Sequence, residues 1–293
     1  MDKTLVTINI DNTSFRLQKI HNFQWLKELG TVFCVFDEQD SGNICFGIKK
    51  DGVKSFVKYA GAKTVEYKGD VKDAILRLKK AIPLYEDLKC PILIELKKYF
   101  ETECGYAAIF KWVDGECLHS HWAFNPYEKY NNPNSPFYKY KHLSVEQRLK
   151  SLDEIFSFHK YVEEKGYVAV DFYDGSIIYD FENNITNICD IDFYRKKPTI
   201  NDIDEDFWGA KRSKAPEEYQ LGELIDERTN VYTMGSIAFE VLGGEMDHSI
   251  EKLGAGEELY KVAVRATEIN RTKRYCSVSE FHYEWKNVVK TIN

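Results

Sequence analysis

The chain has 293 residues, of which 43% are hydrophobic and 30% are charged, and its formal net charge is −7 at pH 7. This composition is typical of a globular protein, and an acidic chain without a basic block is not expected to bind nucleic acid. The N-terminus lacks a basic segment followed by a long apolar run, and no window reaches the ~18 apolar residues of a membrane span. The cysteines are scattered and never form Cys-x-x-Cys pairs. We therefore expect a cytoplasmic protein with free thiols.

Alternating apolar residues in the first third of the chain predict a small antiparallel sheet. Strands are predicted at 31–36, 44–48 and 53–60, and polar turns containing Ser41-Gly42-Asn43 and Asp51-Gly52 separate them. The third strand carries Lys58, with its amine at the end of an alternating face. An amphipathic helix is predicted over 70–88 despite Pro83, and further strands at 92–100 and 106–112.

The remaining two thirds of the chain are predicted to be mainly helical. Residues 119–142 are rich in aromatic residues, asparagine and proline, and we predict that they are irregular. A long helix is predicted over 144–165, opened by a Ser144-x-x-Gln147 capping box and closed by Gly166. Strands at 176–181 and 185–191 flank a hairpin turn, and helices follow Glu217. The pattern indicates an α+β protein without a second independent domain.

Three short stretches between Tyr167 and Glu217 carry the candidate chemistry. The first, 167–176, places Asp171 on a loop, and the second, 188–194, places Asp192 at the end of the hairpin. The third is Ala215-Pro216-Glu217, which follows another loop. In this order, and with Lys58 on the third strand, the chain resembles the protein-kinase-like superfamily over most of its length.

The resemblance implies a bilobal fold and a nucleotide substrate. A small lobe, 1–114, would consist of an antiparallel sheet with one helix, and a larger, mainly helical lobe would span 115–293. The stretch 111–115 resembles the hinge between such lobes. The implied cofactors are ATP and Mg²⁺, and the implied ATP-binding residues are Gly42, Asn43, Lys58, Lys111 and Val113.

Four residues match positions that act directly in phosphoryl transfer. Asp171 aligns with the aspartate that orients and deprotonates the acceptor hydroxyl, and Lys58 resembles the lysine that binds the phosphates. Asp192 resembles the Mg²⁺-binding aspartate, with Asp190 as an alternative, and Ser176 stands where the second metal-binding residue, an asparagine, is usual. Without the surrounding motifs, Lys58 would be read as a solvated strand lysine and Asp171 as a solvated loop residue.

Other matching positions are structural. Glu217 of the Ala-Pro-Glu stretch and Arg274 match a glutamate and an arginine that form a buried ion pair, which predicts a salt bridge between them. Asn230 stands in place of an aspartate in the helix that follows.

Several positions depart from the pattern. Val170 replaces the arginine that reads a phosphorylated loop, so control by loop phosphorylation is not expected. Tyr173 replaces a lysine typical of serine/threonine kinases, and Ala210 replaces a threonine. The glutamate that should pair with Lys58 maps onto Ala81; two nearby glutamates, Glu66 and Glu86, are left as candidates to substitute for it.

The sequence therefore predicts an ATP- and Mg²⁺-dependent phosphotransferase that acts on a hydroxyl group, most consistent with a divergent serine/threonine protein kinase. Two alternatives stay open: a pseudokinase that binds nucleotide or partners without transferring phosphate, and a small-molecule kinase. His119 and His121 have the spacing of a metal pair, but no cysteine or carboxylate cluster accompanies them in the sequence, which favours a surface histidine pair.

Overall fold

The structure, a computed structural model, describes residues 5–292. The chain is a mixed α+β protein with several small antiparallel sheets. It divides into two compact units, Met1–Asp114 and Gly115–Asn293. Within residues 5–292, none of the helices combines the length and the apolar character that crossing a membrane requires.

The first unit is built around a five-stranded antiparallel sheet with the strand order β3-β4-β5-β7-β6, beside a separate β1-β2 hairpin. Its strands and helices, in chain order, are β1 (Val6–Ile10), β2 (Thr13–Leu17), α1 (Leu26–Leu29), β3 (Thr31–Phe36), β4 (Asn43–Lys50), β5 (Val53–Ala60), α2 (Val71–Asp87), β6 (Leu96–Thr102) and β7 (Gly105–Lys111).

The two faces of this sheet are covered differently. Val57 and Tyr59 of β5 belong to a buried cluster with Phe15 and Leu17 of the β1-β2 hairpin. Helix α2 begins at an N-cap, Asp70, whose side chain accepts a hydrogen bond from the Lys72 backbone at 2.9 Å. Its buried residues, which include Ala74, Leu78, Ala81, Ile82 and Tyr85, recur at helical spacing. The helix passes through Pro83 without ending, as its amphipathic pattern predicts.

The second unit is mainly helical and carries three small sheets, with the strand orders β11-β10-β8, β12-β9 and β13-β14. Its helices and strands, in chain order, are β8 (Glu116–Cys117), α3 (Pro126–Asn131), α4 (Pro136–Lys141), α5 (Val145–Glu164), β9 (Tyr167–Val168), β10 (Ile177–Asp180), β11 (Ile185–Ile188), β12 (Arg195–Lys196), β13 (Thr199–Ile200), β14 (Leu224–Ile225), α6 (Glu227–Leu242), α7 (Glu257–Ala266) and α8 (Val278–Ile292). Single 3₁₀ turns lie at Asp174–Ser176, Pro216–Tyr219, Ile250–Lys252 and Arg271–Lys273.

Helices α5, α6 and α8 form the centre of the second unit. Helix α6 is buried on nearly all sides, which explains its continuous apolar sequence. Phe156 of α5 meets Phe281 and Trp285 of α8 with ring centroids 4.9 and 5.4 Å apart. The Arg148 guanidinium crosses from α5 to donate to the Val241 carbonyl at 3.0 Å. This packing fixes the loops that follow α5 and precede α6.

One sequence expectation about the fold was wrong. Residues 119–142 contain α3 and α4, although we predicted an irregular segment. Both helices start with proline directly after a residue of N-cap type, Asn125 or Ser135, and Asn125 forms a reciprocal capping box with Glu128. Each has only six residues, which is too short to show an apolar period. The β1-β2 hairpin was not predicted.

Candidate functional site

The loop formed by residues 169–176, here called the Asp171 loop, follows β9 and is anchored by α6. The Asn230 side chain accepts a hydrogen bond from the Ala169 backbone at 2.8 Å and donates one to the Tyr167 carbonyl at 3.3 Å. Asn230 is 1% exposed, so both bonds form out of water. The Asn230 side chain therefore fixes the start of the loop. In the motif that the sequence resembles, an aspartate stands at this position.

Asp171 has a left-handed backbone conformation, with φ of 65°. Residues with a side chain seldom adopt this conformation, which aspartate tolerates better than most. The next residue, Phe172, is buried and holds the loop down. Its ring lies 4.2 Å from the ring of His159 in α5. The conformation of Asp171 is thus imposed by the packing on either side of it.

His159 connects α5 with the segment after the hairpin. Its Nδ1 lies 2.8 Å from the Ile155 carbonyl, which can only accept, so Nδ1 carries the proton and Nε2 accepts from the Tyr194 hydroxyl at 2.8 Å. Burial lowers the pKa of His159 to about 3, so the ring is neutral. The neutral ring ties Tyr194 to the same helix that supports Phe172.

Two carboxylates follow the hairpin. Asp190 is exposed and has a positive φ of 54°, whereas Asp192 is buried. Burial, and then the charges of Asp171 and Asp190, raise the pKa of Tyr173 well above its usual value. Asp171 and Asp190 therefore act on the same phenol from two different loops.

Ser176 is the second metal ligand predicted from the sequence. Its hydroxyl is buried and has no hydrogen-bond partner among the described residues. Its carbonyl accepts a hydrogen bond from the Cys189 backbone at 2.9 Å, which brings Ser176 beside the residue that precedes Asp190. A buried hydroxyl without a partner is costly unless another group satisfies it. The oxygen donors of Ser176 and the neighbouring carboxylates fit a hard divalent cation such as Mg²⁺.

Tyr173 occupies the position where the sequence pattern has a lysine. Its ring packs on Gly175, where an added Cβ would lie 2.4 Å from the ring, and the Arg212 guanidinium lies 5.1 Å from the ring centroid. The thiols of Cys117 and Cys189 both approach the Gly175 carbonyl, at 3.4 and 3.7 Å. The far end of the Asp171 loop is therefore closely packed, and the Arg212 guanidinium lies beside the Tyr173 ring.

Residues 193–214 fold back onto the Asp171 loop. The rings of Phe193 and Trp208 lie 4.4 Å apart and pack on a buried cluster that includes Val170 and Phe207. Val170, which replaces an arginine of the sequence pattern, thus contributes apolar contacts instead of a charge. The segment is ordered by this packing.

Lys214 secures the same segment from inside. It is 6% exposed and donates to the carbonyls of Glu205 and Phe207 at 3.0 and 2.7 Å. Burial lowers the pKa of Lys214, while the charges of Glu218, Asp206 and Asp171 act to raise it. A Cβ added to Gly209 would lie 2.8 Å from the Lys214 side chain and 4.0 Å from the Asp171 Cα, so glycine is required where this segment passes the loop.

The predicted salt bridge between Glu217 and Arg274 is confirmed. Two parallel contacts join the guanidinium and the carboxylate, at 2.7 and 3.0 Å. The Arg274 side chain is 0% exposed and the Glu217 side chain is 5% exposed. Thr229 donates a further hydrogen bond to the carboxylate at 2.9 Å. The pair fastens the turn that ends the 193–214 segment to the loop before α8.

A second group of charges lies behind Tyr173 and was not predicted. Asp174 is 1% exposed and contacts the Lys129 ammonium at 2.6 Å and the Arg212 guanidinium. Arg212 also contacts Glu240 at 2.6 Å, and Lys129 lies 3.5 Å from Glu245. Burial acts to raise the pKa of Asp174, but the charges of Arg212 and Lys129 lower it below its usual value.

Carboxylate oxygens of Asp174, Glu240 and Glu245 lie within 4.8 Å of one another, which is compatible with a metal ion. The Lys129 ammonium already lies among these oxygens, and with Arg212 it balances two of the three negative charges. Burial, and then the charge of Asp174, raise the pKa of Glu240 to about 8, which favours a neutral carboxyl there. We interpret this group as an internal ion-pair cluster that supports the Asp171 loop.

His119 lies at the edge of this cluster. Its Nδ1 is 3.9 Å from the Asp174 carboxylate, and its ring is 5.5 Å from that of His121. Burial lowers the pKa of His119 to about 4, so the ring is neutral near pH 7.

The remaining predicted residues lie in the first unit. Lys58 of β5 is 8% exposed and faces Cys45 of β4 and Ala108 of β7 across the sheet. Gly42 has a φ of 80°, and a Cβ there would lie 2.7 Å from the Tyr67 ring. Asn43 is buried, and its side-chain oxygen has no hydrogen-bond partner among the described residues. These three residues lie on the strands β4 and β5 and the turn before β4.

Lys111 and Val113 lie at the end of the first unit. The Lys111 backbone donates to the Glu95 carbonyl at 2.8 Å, and Val113 lies two residues past the end of β7. Both candidates for the acidic partner of Lys58, Glu66 and Glu86, are exposed, while Ala81 is fully buried in α2.

Within the second unit, Asp171 and Ser176 lie on the same loop, and the Ser176 carbonyl accepts a hydrogen bond from Cys189 in the segment that carries Asp192. Lys58, Gly42 and Asn43 are likewise close to one another in the first unit. Sequence reasoning missed the supporting residues, among them His159, Lys214, Lys129 and Arg212, because each acts through a contact distant along the chain. The sequence matches no protein-family model and no curated protein.

Proposed function

We propose that this protein is an ATP- and Mg²⁺-dependent phosphotransferase with a protein-kinase-like, two-lobed architecture, and that it transfers the γ-phosphate to a serine or threonine hydroxyl of a protein. The observation that carries the proposal is the grouping of Asp171, Asp190 and the unpartnered Ser176 hydroxyl around one packed loop. Phosphoryl transfer requires an orienting carboxylate and a metal-binding one, and we assign the first role to Asp171 and the second to Asp192 or Asp190.

Each residue has a defined task in the proposed reaction. Asp171, held by Asn230 and Phe172, orients the acceptor hydroxyl and accepts its proton. Asp192 or Asp190, together with Ser176, would hold Mg²⁺, which when bound neutralises charge on the nucleotide phosphates. The backbone bond between Cys189 and Ser176 holds the start of the segment that carries both carboxylates beside Ser176. Lys58 would bind the phosphates from the first unit, where Gly42, Asn43, Lys111 and Val113 would contact the nucleotide.

The packing of residues 193–214, the segment over the Asp171 loop, supports activity without prior phosphorylation. Val170 is 1% exposed and buried in apolar contacts, and Lys214 binds backbone carbonyls from within the segment. No phosphate-reading arginine is needed to order the segment, since its own packing does so. We therefore propose that activity does not depend on phosphorylation of this segment.

The test is transfer of labelled γ-phosphate from ATP in the presence of Mg²⁺, with total protein and a metabolite extract as acceptors. The wild type should label protein, and Asp190→Ala and Asp192→Ala report which carboxylate the metal requires. Label in small molecules would redirect the proposal to a small-molecule kinase. Absence of any label from the wild type would contradict the proposal.

One observation favours a pseudokinase as the second candidate. Helix α2 presents buried Ala81 where the pattern has a glutamate, and both Glu66 and Glu86 are exposed. In the motif that the sequence resembles, that glutamate orients the phosphate-binding lysine, and an alanine cannot supply the carboxylate. Nucleotide binding without any label transfer would support this second candidate.

A further inference from the structure

The surface of the segment over the Asp171 loop combines exposed apolar side chains with exposed acidic ones. Ile200 and Leu224 are direct partners in the β13-β14 pair, so their side chains project from the same face of it. The apolar members of this surface are Ile200, Ile203, Leu221 and Leu224, with exposed fractions of 49%, 39%, 65% and 42%. Clustered exposed apolar side chains of this kind mark interaction sites.

The acidic members are Asp204, Glu205 and Asp206, in the loop that leads away from β13. All three are exposed, and none forms an ion pair with another described residue. Asp202 differs because it contacts Arg195 at 2.9 Å. Three adjacent unpaired carboxylates produce a local negative field that attracts basic partners. We refer to the four apolar and three acidic residues together as the acidic-apolar patch.

The backbone of the patch is built around Asn201, which is fully buried. Its side chain accepts from the backbones of Ile203 and Asp204 at 3.0 and 2.8 Å and donates to the carbonyls of Asp204 and Glu218 at 3.0 and 3.1 Å. Its own backbone pairs with Glu223 and Gly222 at 2.9 and 2.8 Å. A surface held this firmly needs little ordering when a partner binds.

The patch is connected to the candidate active site through Lys214. This lysine binds the carbonyl of Glu205, a patch residue, and the Asp171 charge acts on it. A partner segment on the patch would therefore lie along the same stretch of chain that passes the Asp171 loop at Gly209.

We propose that the acidic-apolar patch is the docking surface for a basic polypeptide segment that carries apolar side chains, and that it selects the protein substrate. This inference rests on the proposed function and names its substrate class. A second copy of the chain is a poorer occupant, because the symmetric contact of two copies would bring two acidic loops together, in a protein with a net charge of −7.

Binding is tested without nucleotide, by fluorescence anisotropy of a labelled synthetic peptide of alternating lysine and leucine with one serine. The triple variant Asp204→Asn, Glu205→Gln, Asp206→Asn should weaken binding about tenfold and reduce its salt dependence. The double variant Ile200→Ser, Leu224→Ser should weaken binding without changing the salt dependence. Matched controls are Glu103→Gln, Glu182→Gln, Glu251→Gln for charge, and Ile185→Ser, Ile250→Ser for exposed apolar area.

Three results would overturn the docking proposal. The first is equal binding of the control peptide with glutamate in place of lysine, and the second is equal weakening by the control variants. The third is self-association of the wild type in sedimentation that Leu224→Ser abolishes, which assigns the surface to a second copy. Asp171→Asn should bind the peptide as the wild type does, so loss of transfer with retained binding separates a failed activity from a failed docking surface.

Discussion

Asp171 combines an uncommon backbone conformation with a carboxylate that acts on its surroundings. With φ of 65°, it lies in a region that costs free energy for most side chains, and such strain is often stored at functional sites. Phe172 and Asn230 hold the loop in this state through contacts on the two sides of Asp171. The backbone conformation of Asp171 therefore depends on its neighbours, while its own carboxylate is the group that we propose acts on the acceptor hydroxyl.

We predict that Asp171→Asn lowers the rate of phosphate transfer about 10²- to 10⁴-fold, because it removes the proton acceptor. Asparagine also tolerates a positive φ, so the fold and nucleotide affinity should be retained. The control is Asp51→Asn, since Asp51 has a φ of 51° in a turn and is exposed. Equal transfer rates for the two variants would remove Asp171 from the mechanism.

His159 gives a second prediction at the residue scale, which concerns how the stability of the protein depends on pH. The pKa of the buried ring is about 3, while the ordinary value is 6.5. Between these values the unfolded chain binds a proton that the folded protein does not, so stability falls as pH falls. The loss contributed by His159 should be about 1.4 kcal/mol for each pH unit below 6.

The measurement is the free energy of unfolding in urea at several pH values between 7 and 4.5. His159→Gln should be less stable at pH 7 but should show a shallower loss on acidification. His142→Gln, at an exposed histidine, serves as the control and should keep the slope of the wild type. An unchanged slope in His159→Gln would contradict a neutral, buried His159.

At the scale of elements, the Glu217–Arg274 pair joins the 3₁₀ turn at Pro216–Tyr219 to the residue that follows the turn at Arg271–Lys273. Arg274 also donates to the carbonyls of Glu268, Arg228 and Ile269 at 2.7, 3.1 and 3.3 Å. All of its donor directions are therefore used, and lysine could not replace this set.

We predict that Arg274→Met destabilises the protein by about 3–5 kcal/mol, because it leaves a buried carboxylate without its charge partner. Arg274→Lys should be destabilising as well, since an ammonium cannot make the two parallel contacts. The matched control is Glu258→Gln, which breaks an exposed pair with Lys261 and should cost at most about 1 kcal/mol. Urea unfolding measures all three, and similar losses for Arg274→Met and Glu258→Gln would contradict the prediction.

The elements show why part of the fold was predictable. Strands β3 and β5 and helices α2 and α5 were expected within one or two residues of their ends, because each has a clear apolar period or a cap. Helix α5 shows both, with the Ser144 and Gln147 capping box present as predicted. Helices α3 and α4 were missed because aromatic residues occupy both their buried and exposed faces, as exposed Tyr127 and buried Phe137 illustrate.

The candidate site was predictable only in part, for a related reason. Asp171, Ser176 and Glu217 belong to short motifs whose spacing along the chain carries information. Lys129, Arg212 and His159 meet partners that lie far away along the chain. The separation is 35 residues for His159–Tyr194, 38 for Arg212–Asp174 and 116 for Lys129–Glu245. Nothing in the local pattern around these residues distinguishes them from other surface lysines, arginines and histidines.

At the scale of the molecule, the proposed nucleotide-binding residues are divided between the two compact units. Lys58, Gly42 and Asn43 belong to Met1–Asp114, and Asp171, Ser176 and Asp190 belong to Gly115–Asn293. A ligand that binds both units stabilises the native protein as a whole, whereas a ligand of one unit stabilises that unit alone. Nucleotide binding therefore tests whether the two groups of residues form one site.

We predict that Mg²⁺-ATP at about 100 times its Kd raises the free energy of unfolding by about 2.7 kcal/mol. Lys58→Met and the double variant Asp190→Ala, Asp192→Ala should each abolish most of this stabilisation, since each removes charge that binds the phosphates or their metal. Lys49→Met, at an exposed lysine of β4, is the matched control and should keep it. The measurement is calorimetry with and without Mg²⁺-ATP. If Lys58→Met keeps the stabilisation and the double variant loses it, the nucleotide is bound by the second unit alone and Lys58 is excluded from the site.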